Sequence, residues 1–228
     1  MKKLSYVQQY YICTVNEKGN IPLLNGVSIA ACLVMGEITE LISKGFVTWD
    51  EDNKLSIVRS SDESLAYLKA VYDAIAYKKF QDVTSIVDIY ASNIHQPGNC
   101  CRGSVTDLLS LIGNSLVKIE CINELPKKSL LHKRTKYAPK SEIVMDIIKA
   151  IRMAFFENNV IPHETLCLVA LLDKSNVLCK YFNNDEIIHM KKRIEEAQRS
   201  MVNASMNQVL NYIAYVPSIL SEIDWSGA

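Results

Sequence analysis

Apolar residues recur along most of this chain with the three-to-four-residue spacing of helices that bury one face. Residues 4–15 predict a first helix, and residues 27–44 a second that ends at a Gly45 cap. The same pattern predicts helices at 63–77, 82–94, 104–117, 142–158, 163–172, 176–182, 185–201 and 205–223, the last kinked or ended by Pro217. We therefore expect a mainly α-helical chain, folded as a single compact helical-bundle domain over residues 1–228.

Local signals predict where some of these helices begin. Ser60 and Glu63 have the spacing of a capping box, and Ser141 is placed to cap the helix over 142–158. The helix over 185–201 is predicted to be amphipathic, with an apolar stripe of Ile187, Ile188, Met190 and Ile194.

Two segments break the helical pattern. Residues 46–49 and 55–58 are β-prone runs around a polar turn, which predicts a short β-hairpin. Residues 118–140 have no helical period and contain Pro126 and Pro139, so we interpret them as a second hairpin that projects from the bundle. No acidic residue falls between Leu125 and Lys140, and the segment carries a basic cluster of Lys127, Lys128, Lys133, Arg134, Lys136 and Lys140.

Composition narrows the class of protein. With 49% hydrophobic and 22% charged residues over 228 positions, the chain has a globular composition. Basic and acidic residues both number 25, so no global charge attracts nucleic acid. The seven cysteines are odd in number and include no C-x-x-C, which favours reduced thiols in the cytoplasm. The longest uncharged apolar run, 27–35, is far shorter than the roughly 20 residues of a spanning helix, so we expect at most peripheral membrane contact.

No phosphate loop, nucleophile elbow or dinucleotide fingerprint is present, so we expect no catalytic residue, metal or cofactor. Glu186 and His189 have the Glu-x-x-His spacing of di-iron bundles, but such a site needs a second pair and two more carboxylates. His163 and Cys167 have the i, i+4 spacing that a Cys–His nucleophile pair could use. The commoner interpretation is a buried cysteine near a helix start.

The order of helix, helix and hairpin at the N-terminus also fits a winged helix. A recognition helix needs basic or amide side chains that reach bases and phosphates, yet residues 27–44 offer one lysine against two glutamates. The hairpin turn at 50–52 is acidic and would repel phosphates. Nucleic acid is therefore not expected as a partner.

The basic cluster is the strongest polar feature of the chain. Its plain interpretation is a solvated charged loop; its functional interpretation is a site for anionic headgroups, because each cation near an anionic membrane contributes about 1 kcal/mol. Leu130 and Leu131 lie at the middle of the segment. A hairpin tip would expose them for insertion into the membrane interface, whereas a folded-back tip would bury them.

The order and spacing of several stretches resemble the Golgi phosphoprotein 3 family. LSYVQQYYICTVNEKGNIP (4–22) is similar to its opening helix and turn, and GEITELISKGFVTWDEDNKLSIV (36–58) to its helix ending in ELxxxG and the hairpin that follows. LVKIECI (116–122), the hairpin-like insertion and SEIVMDIIKAIR (141–152) resemble its middle. ETLCLVALLDKSNVLCKYF (164–182) resembles its LLALxxxxxxL helix pair, and residues 185–201 resemble the next helix.

The resemblance implies a helical bundle with a projecting β-hairpin. Studied eukaryotic members bind phosphatidylinositol 4-phosphate on Golgi membranes, and they hold glycosyltransferase tails and coat proteins partly through a basic N-terminal arm. Here that arm is reduced to Lys2 and Lys3, which argues against coat recruitment. The family's hairpin tip is also strongly apolar, whereas this one is basic.

The family's headgroup residues do not carry over to this chain. Its Trp before the second helix falls near Leu24 or Asn25, its helix Arg near Val34, and its Arg pair near Thr106 and Leu109. None of these positions matches, and Arg102, a few residues upstream, is the one substitute in reach. These departures indicate a distant, prokaryotic-type member with changed lipid specificity.

The sequence thus predicts a non-enzymatic, cytoplasmic, peripheral membrane-binding module for anionic, phosphoinositide-like lipid headgroups. Leu130 and Leu131 are the predicted membrane-inserting residues, and the predicted headgroup ligands are Lys127, Lys128, Lys133, Arg134, Lys136 and Arg102. The alternatives are a soluble protein-interaction adaptor without lipid binding and a cryptic enzyme built on His163, Cys167 or Glu186. The oligomeric state is not predicted.

Overall fold

The computed structural model describes residues 3–22, 24–50, 52, 54–77, 82–92, 105–126, 135–157, 160–200 and 204–223. The α-helices are α1 (Tyr6–Thr14), α2 (Gly26–Ser43), α3 (Lys69–Ala76), α4 (Val83–Ser92), α5 (Val105–Lys118), α6 (Ser141–Arg152), α7 (His163–Lys174), α8 (Asn184–Ser200), α9 (Ala204–Ala214) and α10 (Val216–Glu222). Short 3-10 segments lie at Glu63–Leu68 and Leu178–Lys180, and a π-helical turn lies at Met153–Glu157. The strands are β1 (Val47–Trp49), β2 (Leu55–Ile57), β3 (Ile122–Leu125) and β4 (Lys136–Pro139), paired β1–β2 and β3–β4. The predicted mainly α-helical class with short hairpins is confirmed.

Helix α2 lies at the centre of the bundle. It contacts α1, α3, α4, α7, α9 and α10, and every residue from Ile29 to Leu41 is buried. Buried apolar residues from α1 through α10 join it in one continuous core cluster. A helix surrounded on all sides has no solvent-facing side to keep polar, which explains why α2 is mostly apolar around its circumference.

Within the described part of the chain, α2 is the one helix with the length and apolar composition to span a membrane. Its 18 residues have a mean hydropathy of 1.5, and 78% of them are buried inside the bundle. The sequence predicted this helix at 27–44 but not its membrane-spanning length, because the expectation counted only the uncharged run 27–35, whereas α2 continues through two glutamates. Packing against six other helices accounts for its apolar surface.

The predicted glycine cap at the end of α2 is confirmed. Gly45 has a φ of +72°, and its N–H donates to the Ile42 carbonyl at 2.9 Å while the Phe46 N–H donates to Leu41 at 2.9 Å. These are the two hydrogen bonds of a Schellman motif, which ends a helix and turns the chain away from it. The turn sends the chain directly into β1.

Two predicted caps were wrong. The residue that caps the 3-10 segment at 63–68 is Asp62 and not Ser60. The Asp62 carboxylate accepts the Ser64 N–H at 2.9 Å. At α6 the last residue with extended backbone is Lys140, and Ser141 is already helical, so its side chain makes no cap hydrogen bond. A capping residue must lie outside the helical backbone, and sequence spacing alone did not locate that boundary.

The helix predicted over 142–158 is helical through residue 157, but it is not α-helical throughout. Helix α6 ends at Arg152 and widens into the π-helical turn, where the Phe155 carbonyl oxygen lies 3.3 Å from His189 Nε2 and accepts from Arg193 Nη1 at 3.0 Å. Both side chains come from α8, so another helix contacts the backbone of this turn.

On α8 itself, Met190 is buried, but Ile188 is 66% exposed and does not belong to the predicted apolar stripe.

Burial of α2 places two carboxyl groups in the core. Glu37 is 0% exposed, and neither of its carboxyl oxygens has a hydrogen-bond partner among the described residues. Burial, reinforced by the neighbouring Glu40, holds the pKa of Glu37 well above its usual value. Glu40 is better satisfied, because Tyr67 donates to its Oε1 and Lys44 Nζ lies 3.6 Å from the same atom.

Replacing Glu37 with glutamine is expected to stabilise the protein above neutral pH. The pKa of Glu37 is higher in the folded protein than in the unfolded chain, where it is 4.5. The contribution of Glu37 to the free energy of unfolding is therefore fully present below pH 4.5 and is lost as pH rises through the folded-state pKa. E37Q removes that loss and gains about 1–3 kcal/mol at pH 8. Urea unfolding of both proteins between about pH 5 and 8 measures this difference in stability. The control is Glu195→Gln, at an exposed position. Equal pH dependence in E37Q and the wild-type protein would show that Glu37 is not the buried acid responsible.

Candidate functional site

Strands β3 and β4 form the base of the predicted basic hairpin. Their antiparallel register pairs Ile122 with Pro139 and Leu125 with Lys136. The connection at 126–135 carries four of the six cations of the basic cluster. The placement of most predicted ligands remains a prediction, since Lys127, Lys128, Leu130, Leu131, Lys133, Arg134 and also Arg102 lie outside the described residues.

Tyr137 fixes the hairpin base to the bundle. Its side chain is 3% exposed and its hydroxyl donates to Asn114 Oδ1 of α5 at 2.9 Å. The ring lies so close to Gly113 that a Cβ there would be 2.5 Å from ring carbons Cδ2 and Cε2. Glycine in the middle of α5 therefore allows the tyrosine ring to rest directly on the helix backbone.

The turn after α1 holds β4 from another direction. Asn16 Oδ1 accepts the N–H groups of Lys18 and Asn20 at 2.9 and 3.0 Å, which closes the turn locally. Gly19 has a φ of +68°, and a Cβ on it would lie 2.8 Å from Lys136 Cβ. Lys136 Nζ in turn donates to Asn20 Oδ1 at 2.7 Å. Strand β4 is thus held by both this turn and α5.

Lys136 is the predicted ligand that the structure describes. Its side chain is exposed, and its partner Asn20 is neutral, so no carboxylate among the described residues neutralises its charge. Lys140 follows β4 and is half-buried, while Glu120 and Glu124 are exposed on the β3 side. The described base of the hairpin therefore carries its cations on β4 and its carboxylates next to and within β3.

Sequence reasoning found the basic cluster but missed the anchor formed by Gly19, Gly113, Asn114 and Tyr137. One signal was available, because a glycine inside a helix costs about 1 kcal/mol relative to alanine and therefore calls for a compensating contact. Gly113 interrupts the apolar pattern of α5. The pattern does not reveal that the partner of this glycine is a tyrosine 24 residues further along the chain.

The His163–Cys167 pair does not form an activated nucleophile. Cys167 Sγ lies 3.6 Å from His163 Nε2, close enough for a weak contact. The thiol is fully buried, and this burial, followed by the Glu164 charge, raises its pKa far above the usual value. A thiol that resists ionisation and has no access to solvent is a structural group.

Glu186 and His189 each contact a different set of groups and do not form a pair. Glu186 binds Arg152 and accepts the Asn183 N–H at 2.9 Å, and this backbone hydrogen bond lowers its pKa. His189 stacks on Phe156 with ring centroids 5.1 Å apart. In the part of the chain that the structure describes, no three His, Cys, Asp or Glu side chains come together as metal ligands.

The described fold is a helical bundle with two short antiparallel strand pairs, β1–β2 and β3–β4. The family model of Golgi phosphoprotein 3 (GPP34) matches residues 8–213 of this chain, which therefore belongs to the Golgi phosphoprotein 3 family. The match confirms the resemblance recognised from the sequence. No individual curated protein matches the chain significantly.

The positions that correspond to the family's headgroup residues differ from one another in their exposure to solvent. Val34 is completely buried within α2, whereas Leu24 is 96% exposed. Asn25 donates through its side-chain amide to the Asn176 carbonyl at 3.4 Å, and Leu109 is half-buried. No cation occupies any of these four positions, so they cannot supply the charge that a phosphate requires.

The substitution Gly113→Ala tests the hairpin anchor. In a helix interior, alanine is normally more stabilising than glycine by about 1 kcal/mol. Here the added Cβ meets the Tyr137 ring, so we expect a loss of about 1–3 kcal/mol in the free energy of unfolding. In a Tyr137→Ala background, where the ring is gone, G113A should be neutral or stabilising. A stabilising G113A in the wild-type background would contradict the close packing.

Thiol modification tests whether any described cysteine is activated. Among the described cysteines, Cys179 is exposed and should react first at neutral pH, whereas Cys13, Cys32 and Cys167 should react only on unfolding. Burial raises the pKa of both Cys13 and Cys32 to about 12. Peptide mapping by mass spectrometry after timed alkylation follows each cysteine separately, with urea-unfolded protein as the control. Rapid labelling of folded Cys167 would restore the nucleophile hypothesis.

Proposed function

We propose that this protein is a non-enzymatic peripheral module that binds anionic lipid headgroups through the basic hairpin. The ligand class is a phosphoinositide-like headgroup, and phosphatidylinositol 4-phosphate is the lipid that the family resemblance implies. The protein would act in the cytoplasm, at the membrane's cytoplasmic face. Lys127, Lys128, Lys133, Arg134, Lys136 and Arg102 would contact headgroups, and Leu130 and Leu131 would enter the interface.

One observation carries this proposal. A 14-residue stretch free of acidic groups, between Leu125 and Lys140, is attached to the bundle by the Tyr137 anchor. At about 1 kcal/mol for each cation near an anionic surface, the cluster supports useful affinity if its members face the same side. The whole chain carries equal numbers of acidic and basic residues, so attraction to a membrane must come from such a local patch.

The chemistry of the described residues supports a binding role over catalysis. The sulfur of the one Cys–His pair proposed from the sequence is buried with a raised pKa. Glu186, the other proposed catalytic group, is engaged by Arg152 and by backbone. A perturbed carboxyl such as Glu37 lies deep in the core, where no substrate can reach it.

Co-sedimentation with liposomes tests the proposal. Vesicles of neutral lipid, of neutral lipid with phosphatidylserine, and of neutral lipid with phosphatidylinositol 4-phosphate should be compared at about 0.05 and 0.5 M salt. We expect binding to the acidic vesicles alone, weakened by salt. Lys133→Glu with Arg134→Glu should reduce the affinity by about thirtyfold or more, since two attractive charges become repulsive.

The matched control is Lys192→Glu with Arg199→Glu. It makes the same change in net charge on α8, where both side chains are at least 75% exposed. Equal losses in the two double variants would show a nonspecific charge effect and reject the hairpin site. No binding by the wild-type protein would reject lipid recognition and leave the protein-interaction adaptor as the function to pursue.

A further inference from the structure

Glu37 and Glu40 form a buried carboxyl pair one turn apart on α2. Three of their four carboxyl oxygens, both of Glu37 and Oε2 of Glu40, have no hydrogen-bond partner among the described residues. Lys44 Nζ lies 3.6 Å from Glu40 Oε1, whereas no described cation forms an ion pair with Glu37. Two ionised carboxylates this close together in the core would be strongly unfavourable, so folding favours a proton on the pair.

The groups that face Glu37 come from α2, the 3-10 segment, α3 and α4, and among the described residues none of them carries a positive charge. Glu40 lies on α2 itself, Tyr67 on the 3-10 segment and Tyr90 on α4. Helix α3 contributes the backbone of Val71, which offsets only part of the cost of burial. These surroundings therefore supply no charge that could replace a lost proton.

Residues 63–76, which are the 3-10 segment and α3 together, pack over the side of α2 that carries the pair, and we call them the cover segment. Its buried side chains are Leu65, Leu68, Val71, Tyr72 and Ile75. The chain that enters the cover segment, residues 58–64, is exposed at every position, and so are residues 76 and 77 at its end. A 3-10 segment also has poorer hydrogen-bond geometry than an α-helix. Elements of this kind open more readily than the rest of a bundle.

Three described side-chain hydrogen bonds link the cover segment to its neighbours. The Tyr67 hydroxyl donates to Glu40 Oε1. The Tyr72 hydroxyl donates to the Arg59 carbonyl at 3.1 Å, and the Tyr90 hydroxyl donates to the Ala70 carbonyl at 3.0 Å. Apart from these bonds, the cover segment is held on α2 by apolar contacts, which do not compensate ionised carboxylates beneath them.

We propose that Glu37 and Glu40 form a proton-dependent switch, in which the cover segment packs on α2 while the pair retains a proton and detaches locally when both carboxyls are ionised. In the open form water reaches both carboxylates, which removes the cost of burying charge. Opening becomes easier as pH rises above 4.5, the ordinary pKa of Glu37, and levels off beyond its raised folded-state pKa. The proposal does not depend on lipid binding.

Amide hydrogen exchange, followed by mass spectrometry between about pH 5 and 9, tests the switch when each rate is divided by the intrinsic exchange rate at that pH. In the wild-type protein the opening constant of peptides from the cover segment should rise by up to about tenfold per pH unit for each carboxyl that loses its proton on opening.

Peptides from α7 distinguish local opening from global unfolding, because α7 is buried against α1 and α2. The cover segment should open at least about a hundredfold more often than α7. Its opening constant should also be insensitive to low concentrations of urea, since local opening exposes little surface.

The variants identify the responsible carboxyls. Glu37→Gln should remove the part of the pH dependence that Glu37 contributes, and the double variant E37Q/E40Q should open equally at all pH values in this range. The matched control is Glu63→Gln, which changes an exposed carboxyl of the cover segment itself and should keep the wild-type pH dependence.

An opening constant of the wild-type cover segment that does not change with pH would overturn the proposal. So would a pH dependence that persists in E37Q/E40Q. Equal protection of the cover segment and α7 would also overturn it, because the carboxyl pair would then act on global unfolding alone.

Discussion

Enclosure of α2 by the other helices is the constraint on which this structure depends. Thirteen consecutive residues, Ile29 to Leu41, have no route to solvent, so almost all of them must be apolar and closely packed. Gly36 shows how tight this packing is, because a Cβ there would lie 3.1 Å from Leu171 of α7 and 3.2 Å from Val7 of α1. Glu37 and Glu40 are exceptions within this helix, and the core accommodates them by shifting a pKa and by the Tyr67 hydrogen bond.

The candidate site takes its position from the same bundle. Helix α5 packs on the 3-10 segment at 63–68 and on α3, and it presents the backbone of Gly113 to the ring of Tyr137. The turn that follows α1 holds the other side of β4. Helix α5 and the turn after α1 thereby determine where β4, part of the described hairpin base, lies on the bundle. A surface loop without such an anchor would lose more conformational entropy on binding a membrane.

Features encoded by neighbouring residues could be predicted from the sequence. The class of fold, the end of α2 at Gly45, the break at Pro217 and the base of the second hairpin all follow from local pattern and turn chemistry. The features that the sequence did not predict depend on contacts between distant parts of the chain. The π-helical turn accepts a hydrogen bond from Arg193 of α8, and the Tyr137 anchor packs on a glycine of another element. Such contacts depend on which helices meet, and a single sequence does not specify that.

Amide hydrogen exchange, with and without anionic vesicles, tests the central claim that the hairpin is the part of the protein that meets the membrane. The account predicts slower exchange in peptides from residues 118–140 when vesicles are added, with α8 unchanged as an internal reference. Neutral vesicles should leave both regions unchanged. Protection that appears in α8 or α6 but not at 118–140, while the protein is bound to the vesicles, would contradict the account.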